Sequence, residues 1–168
     1  MRFTSVPLMR WSSGMPEIRV ELERMTEGHL SEVLAIEQAS FSDPWSEVMF
    51  RQELEDDPGK HPVVLTMDSQ VIGYGLGWIV LDEFHLGNLA VRPDLKGRGY
   101  GSLILERMLK LVKSKGCRTA SLEVRASNHT AINLYHKYNF KEIAVRKKYY
   151  QDEDALVLLA RLDEEKAC

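Results

Sequence analysis

The stretch Arg92-Pro93-Asp94-Leu95-Lys96-Gly97-Arg98-Gly99-Tyr100-Gly101-Ser102 sets three glycines in five residues, after a run that reads as a strand and at the start of one that reads as a helix. Glycine lets the backbone approach a ligand closely, and the first N–H groups of a helix point outward toward an anion. That is the chemistry of a phosphate cradle. A plain connecting turn uses glycine in the same way, so the loop alone leaves both readings open. Two rival motifs are missing: a dinucleotide fingerprint needs a third glycine where Ser102 stands, and a P-loop needs Gly-Lys followed by Ser or Thr.

Three titratable side chains stand near this loop in the order of elements. His85 lies on the strand that leads into it, and an imidazole with a pKa of about 6.5 is a natural base at neutral pH. Glu123 lies on the polar side of Thr119–Arg125, where Ala120, Leu122 and Val124 alternate with Thr119, Ser121, Glu123 and Arg125. If the two strands are neighbours, both side chains face one acceptor group. Tyr135 sits on a helix face with Leu134 and Tyr138, and a phenol of pKa about 10 can return a proton to a leaving group. Each has a plainer reading: a structural histidine, a solvated carboxylate, a packed ring. His29, His61, His129 and His136 show no metal-ligand spacing with Cys or carboxylates, so no metal is expected.

The elements that must position these residues follow from periodicity and breakers. Glu17 to Glu23 alternates as a half-buried strand. Thr26 can cap a helix carrying Leu30, Val33, Leu34 and Ile36, and Ser46 caps a second, short helix through Leu54. Between them lies the aromatic loop Phe41-Ser42-Asp43-Pro44-Trp45. Val63–Met67 and Val71–Val80 form a hairpin about Asp68-Ser69-Gln70. Gly73, Gly75 and Gly77 leave one face of the second strand bare, which invites a helix or a ligand to approach. Strands are expected at Phe84–Val91, Thr119–Arg125, Phe140–Val145 and Ala155–Leu162. Helices are expected at Gly99–Lys115, ended by Gly116, and at Asn128–Tyr138. The order β-α-α-β-β-β-α-β-α-β-β predicts an α/β (α+β) domain, a mixed and mostly antiparallel central sheet flanked by helices.

The composition fits one such domain. Of 168 residues, 44% are hydrophobic and 28% charged, which excludes a disordered chain and a coiled-coil rod. A formal charge of −3 gives no reason to expect nucleic-acid or membrane-surface binding. Two cysteines, Cys117 and Cys168, do not make a disulfide framework and fit a reducing cytoplasm. No apolar run reaches the ~18 residues that span a bilayer. Residues 1–16 read as a flexible extension with Met15 as an alternative start, residues 17–162 as the domain, and residues 163–168 as a tail.

Lys96-Gly97-Arg98-Gly99-Tyr100-Gly101 resembles the pyrophosphate loop of the GNAT acetyltransferases, Gln/Arg-x-x-Gly-x-Gly/Ala, with Lys96 in the place of Gln or Arg. Leu122-Glu123-Val124-Arg125-Ala126-Ser127-Asn128, Ala131-Ile132-Asn133-Leu134-Tyr135, Asn139-Phe140 and Arg146-Lys147-Lys148-Tyr149-Tyr150 narrow the resemblance to RimI-like protein N-terminal acetyltransferases. Asn139 replaces the family's usual glycine, a swap that a left-handed cap tolerates. His85 is similar to a histidine of archaeal relatives. The likeness runs from about Glu17 to Leu162.

The resemblance implies the GNAT fold, acetyl-CoA as cosubstrate and direct transfer to an amine in a ternary complex. It implies Glu123 and/or His85 as general base and Tyr135 as general acid. Backbone groups of Leu89, Ala90, Val91 and of Gly97, Arg98, Gly99, Tyr100, Gly101 and Ser102 would hold the cosubstrate, with Asn128 and Tyr135 along its pantetheine arm. Asp43, Trp45, Tyr149 and Tyr150 would flank the peptide entrance. A terminal amine, with pKa about 7.7–8.0 against about 10.4 for lysine, is easier to deprotonate by ~3.4 kcal/mol, within reach of a carboxylate acting through water. The acceptors expected are N-termini of proteins or nascent chains, ribosomal proteins among them, in the cytoplasm, with or without an auxiliary subunit. Two alternatives stay open: a lysine or small-amine acetyltransferase, and a non-catalytic acetyl-CoA-binding module. Arg146, Lys147 and Lys148 read as a solvated basic patch.

Overall fold

The computed structural model describes residues 18–163; the extension expected at residues 1–16, the start of the first strand at Glu17 and the tail from residue 164 lie outside the described residues. The described chain forms β1 (Val20–Arg24), a 3-10 turn at Glu27–His29, α1 (Leu30–Ser40), α2 (Glu47–Glu53), β2 (Val63–Met67), β3 (Gln70–Val80) and β4 (Glu83–Val91). A 3-10 turn at Pro93–Leu95 leads to α3 (Tyr100–Ser114), β5 (Thr119–Arg125), α4 (His129–Lys137), β6 (Lys141–Tyr150) and β7 (Glu153–Arg161). The seven strands run in the order β1-β2-β3-β4-β5-β7-β6. β4 and β5 pair in parallel, while β1–β2, β2–β3, β5–β7 and β6–β7 are antiparallel. This is the expected mixed sheet with four helices.

The described residues divide into two compact units: 18–76 with Leu89–Ile104, and Gly77–Asn88 with 105–163. In the first, α1 buries Leu30, Val33 and Ile36, and also Glu37, whereas Leu34 is only half-buried. The Glu37 carboxylate takes the Trp45 N–H on Oε1 at 2.8 Å and the Tyr74 hydroxyl on Oε2. Burial, then Glu37, pushes the Tyr74 phenol far above the ordinary tyrosine range, so it stays a donor. Phe50, fully buried, lies edge-on to Tyr74 at 5.6 Å and tilted against Trp45 at 5.6 Å. α2 starts where expected, with Ser46 Oγ accepting the Met49 N–H at 3.3 Å. The bare face of β3 is filled at Gly73, where an added Cβ would meet the Ile104 side chain of α3 at 2.8 Å.

In the second unit, α3 buries Leu105, Met108, Leu109 and Val112, and Gly116 at φ +94° ends the segment. β5 buries Ala120, Leu122 and Val124 as its alternation requires. Its other face is half-buried rather than solvated, because β5 is an interior strand between β4 and β7. Asn139 follows α4 at φ +64°, the left-handed residue expected there. The largest boundary difference is in β6. Arg146–Tyr150 continue β6 where the sequence reading stops the strand at Val145, since Tyr150 still pairs with Glu153 across an irregular register and a left-handed Lys148. Turn residues inside a paired ladder hide such a continuation from periodicity.

Gly77 marks the tightest backbone approach. A Cβ there would run into the His85 carbonyl oxygen and lie 2.5 Å from the Phe84 ring, itself fully buried. Neither neighbour is a flexible side-chain end. Gly77→Ala is therefore expected to destabilise the fold by about 3 kcal/mol, a fall in Tm of about 6–12 °C in thermal denaturation. A Tm within about 2 °C of wild type would show that the strands part without cost.

Candidate active site

The glycine loop belongs to the first unit. Gly97 at φ +76° and Gly99 at φ +87° occupy left-handed backbone that favours glycine, and a Cβ on either would meet nothing within 4 Å. The glycines are thus demanded by conformation, and open space stands over the loop. The 3-10 turn at Pro93–Leu95 brings the chain in, and Leu103 N–H bonds the Gly99 carbonyl at 3.0 Å as α3 begins. Arg98, Gly99, Tyr100, Gly101 and Ser102 enter or form that first turn, whose leading N–H groups lack partners within the helix. An open, backbone-lined helix start fits a pyrophosphate. Just ahead of it, β4 pairs with β5 from Glu83 to Leu86 and continues through Leu89, Ala90 and Val91.

The acid–base candidates belong to the second unit, and two of them meet. His85 Nε2 lies 2.9 Å from Glu123 Oε2, and the carboxylate is only 12% exposed. The parallel register sets His85 directly opposite Ser121, so Glu123, two residues on, shares its face. Ser121 Oγ is 3.2 Å from His85 Nδ1, and Trp78 stacks on the imidazole at 5.8 Å and 19°. Arg146 reaches the second Glu123 oxygen at 3.2 Å.

The basic patch is exposed, as its sequence reading has it, and its members are also paired. Arg146 is tied to Glu123, and Lys147 and the Lys148 N–H are tied to Asp154 at 3.0 and 2.8 Å. The Arg146 side chain also stands over the Tyr149 ring at 5.3 Å.

Tyr135 is buried against Phe140 at 5.7 Å, and burial, with a smaller push from Tyr150, holds its phenol far above the ordinary range. A group so held keeps its proton until a stronger base appears. Tyr149 is half exposed and meets Tyr150 edge-on at 5.2 Å. Burial chiefly raises the Tyr150 phenol; Tyr149, Glu123 and Glu153 add to this and Arg125 opposes it. Arg125 underlies the Tyr150 ring at 4.2 Å and is gripped by Asp152 and Glu153 at 2.7 and 3.0 Å. That guanidinium holds both carboxyls below the usual carboxylate range.

Other candidates have local duties. Asn128 Oδ1 caps α4 by accepting the Ala131 N–H at 3.2 Å. Asp43 is exposed in its bend, while Trp45 is anchored through Phe50 and Glu37. The structure thus joins His85 with Glu123 and Tyr149 with Tyr150. It adds Ser121, Trp78, Arg146 and Arg125, which the sequence reading did not single out. For Ser121 and Arg125 the signal was present, since both alternate with Glu123 on one face; for Arg146 only folding supplied it.

The open glycine loop of one unit and, in the other, a carboxylate–imidazole pair and a phenol that keeps its proton are each the equipment of a group-transfer enzyme. The chain belongs to the acetyltransferase (GNAT) family, which it matches over residues 30–140 and whose acetyl donor is acetyl-CoA. It is 37% identical over 129 residues to the ribosomal protein bS18-alanine N-acetyltransferase of Salmonella typhimurium, covering 73% of this chain and 84% of that protein. The crystal structure of the ribosomal-protein-S18-alanine N-acetyltransferase from Escherichia coli is similar with a TM-score of 0.80 and 31% identity, covering 88% of this chain and 97% of the other. Ard1 from Thermoplasma volcanium shares the fold, with a TM-score of 0.80 at 24% identity over 86% of this chain and 99% of its own. Among the described residues no helix is long and apolar enough to cross a membrane.

Proposed function

We propose that this enzyme acetylates the N-terminal α-amine of proteins, by direct attack of the amine in a ternary complex, in the cytoplasm where ribosomal proteins are made. The observation that carries this is the 2.9 Å pairing of His85 with a largely buried Glu123. A carboxylate held in this way suits an amine whose pKa is about 7.7–8.0 far better than a lysine at about 10.4. The relatives' substrate, an alanine of ribosomal protein bS18, supports the same acceptor class. The domain of residues 17–162 carries the whole reaction, with residues 1–16 and 163–168 as extension and tail.

Acetyl-CoA supplies the acetyl group as its thioester. Gly97, Arg98, Gly99, Tyr100, Gly101 and Ser102 hold the pyrophosphate through backbone N–H groups, and Leu89, Ala90, Val91 and Asn128 hold the pantetheine arm. Glu123 and/or His85 accept the amine proton as the C–N bond forms and the C–S bond breaks, and Tyr135 gives a proton to the departing sulfur. Asp43, Trp45, Tyr149 and Tyr150 grip the first residues of the peptide, Tyr150 being oriented by the Arg125 clamp.

The test is CoA release by the purified protein with short peptides starting in Ala, Ser, Met-Leu or Met-Glu, each paired with a blocked peptide that contains lysine. Turnover is expected only with free N-termini, Ala-first peptides leading. Turnover with blocked peptides reassigns the enzyme to lysine. Silence on every peptide despite acetyl-CoA binding overturns the acceptor class and leaves a small amine or a binding role.

A further inference from the structure

Resting on the reading of His85 and Glu123 as the acid–base pair, we infer that Ser121 is a positioning residue that, with Trp78, sets the His85 ring so that Nε2–H donates to Glu123 while the bare Nδ1 is capped by the serine hydroxyl. The register makes this arrangement a property of the sheet. His85 on β4 and Ser121 on β5 are direct partners in a parallel pair, and Glu123 follows on the same face. One imidazole edge therefore meets a hydroxyl at 3.2 Å and the other meets a carboxylate at 2.9 Å. Trp78, stacked within 19° of parallel, fixes the plane in which both bonds lie.

The two partners differ in what they can do. An ionised carboxylate only accepts, so the hydrogen on the shared edge must belong to Nε2. A neutral imidazole then keeps its lone pair on Nδ1, and a serine hydroxyl can donate to it. The lone pair of His85 is turned toward Ser121, away from Glu123 and whatever Glu123 faces. His85 accordingly steers the carboxylate, one oxygen of which Arg146 also holds, and the proton of the incoming amine goes to Glu123. Of the two candidate bases, geometry gives one the proton and the other the task of aiming it.

The experiment is a long-range ¹⁵N–¹H spectrum of the full chain labelled at histidine, recorded without substrates well above the ordinary imidazole pKa of about 6.5, with His85 assigned from H85Q. The expected result is one tautomer, a bare Nδ1 and a protonated Nε2. A bare Nε2 in the wild type overturns the inference without any variant. S121A is expected to keep the protonated Nε2, which the Glu123 carboxylate imposes, but to move the Nδ1 resonance to that of an uncapped nitrogen and to lose about fivefold in kcat, the worth of one hydrogen bond, with KM for acetyl-CoA unchanged; S121T restores both. An S121A enzyme that keeps the Nδ1 resonance and the kcat of wild type overturns the role of the serine. Since the spectrum needs no acceptor, it stands or falls separately from the choice of N-terminal amines as substrate.

Discussion

Glu123→Gln is expected to lower kcat by about 10²–10³ while leaving KM for acetyl-CoA within about twofold of wild type, the loss typical of removing a positioned general base. The substitution keeps the side chain's volume in a site where the carboxylate is 12% exposed, so packing gives no other reason for the fall. It removes the only change that matters to an amine: a carboxamide cannot take a proton at neutral pH. Its oxygen can still accept from Arg146, which reaches the carboxylate at 3.2 Å, so the β5–β6 connection survives. The cosubstrate contacts proposed for Gly97–Ser102 use backbone and do not involve Glu123. His85→Gln, which removes the aiming group and leaves the acceptor, is expected to cost only about tenfold, the scale of one charge-assisted hydrogen bond. Steady-state kinetics with an Ala-first peptide checks both. An E123Q enzyme within about threefold of wild type, or an H85Q loss exceeding that of E123Q, would move the base to the imidazole.

Glu37→Ala is expected to cost about 4 kcal/mol of stability, a fall in Tm of about 8–16 °C. The carboxylate is 1% exposed and takes two donors from distant parts of the chain, the Trp45 N–H at 2.8 Å and the Tyr74 hydroxyl. Removing it takes that acceptor from a part-buried N–H and a buried phenol, and each such loss costs about 1–3 kcal/mol. Glu37→Gln keeps one acceptor oxygen and is expected to lose about half as much. Tyr74→Phe combined with Glu37→Ala should cost less than the sum of the two, because the second change removes a donor the first has orphaned. The loop carrying Trp45 loses its backbone anchor in Glu37→Ala, so KM for the peptide should rise while KM for acetyl-CoA does not. Thermal melts and kinetics on Glu37→Ala, Glu37→Gln, Tyr74→Phe and the double variant suffice; additive melts would show that the two side chains stand in separate surroundings.

Glu37 also shows where a sequence stops speaking. Glutamate by its type reads as solvent-facing, yet its place seven residues after Leu30, four after Val33 and three after Leu34 sets it on the apolar stripe. The structure buries Glu37 and leaves Leu34 half-exposed. What supports a carboxylate on that face is a pair of donors eight and thirty-seven residues away, which no local pattern encodes. The same holds for Arg146. Its neighbours in the chain are lysines, so it reads as one more surface charge; strand β7, inserted between β5 and β6, sets the sheet order from which it reaches Glu123.

By contrast, interactions spanning a few residues were legible from the outset. Ser46 as a cap, Gly116 and Asn139 as left-handed exits, Val63–Met67 and Thr119–Arg125 as strands all match, because caps, φ preferences and a period of two act within a turn or a strand. The glycine loop and the motifs from Leu122 to Tyr150 carried the resemblance to the acetyltransferases. The meeting of His85 with Ser121 and Glu123 was decided by the parallel pairing of β4 with β5, two segments joined by a whole helix. Local chemistry chose the residues that can move a proton; the register of two strands chose which of them touch.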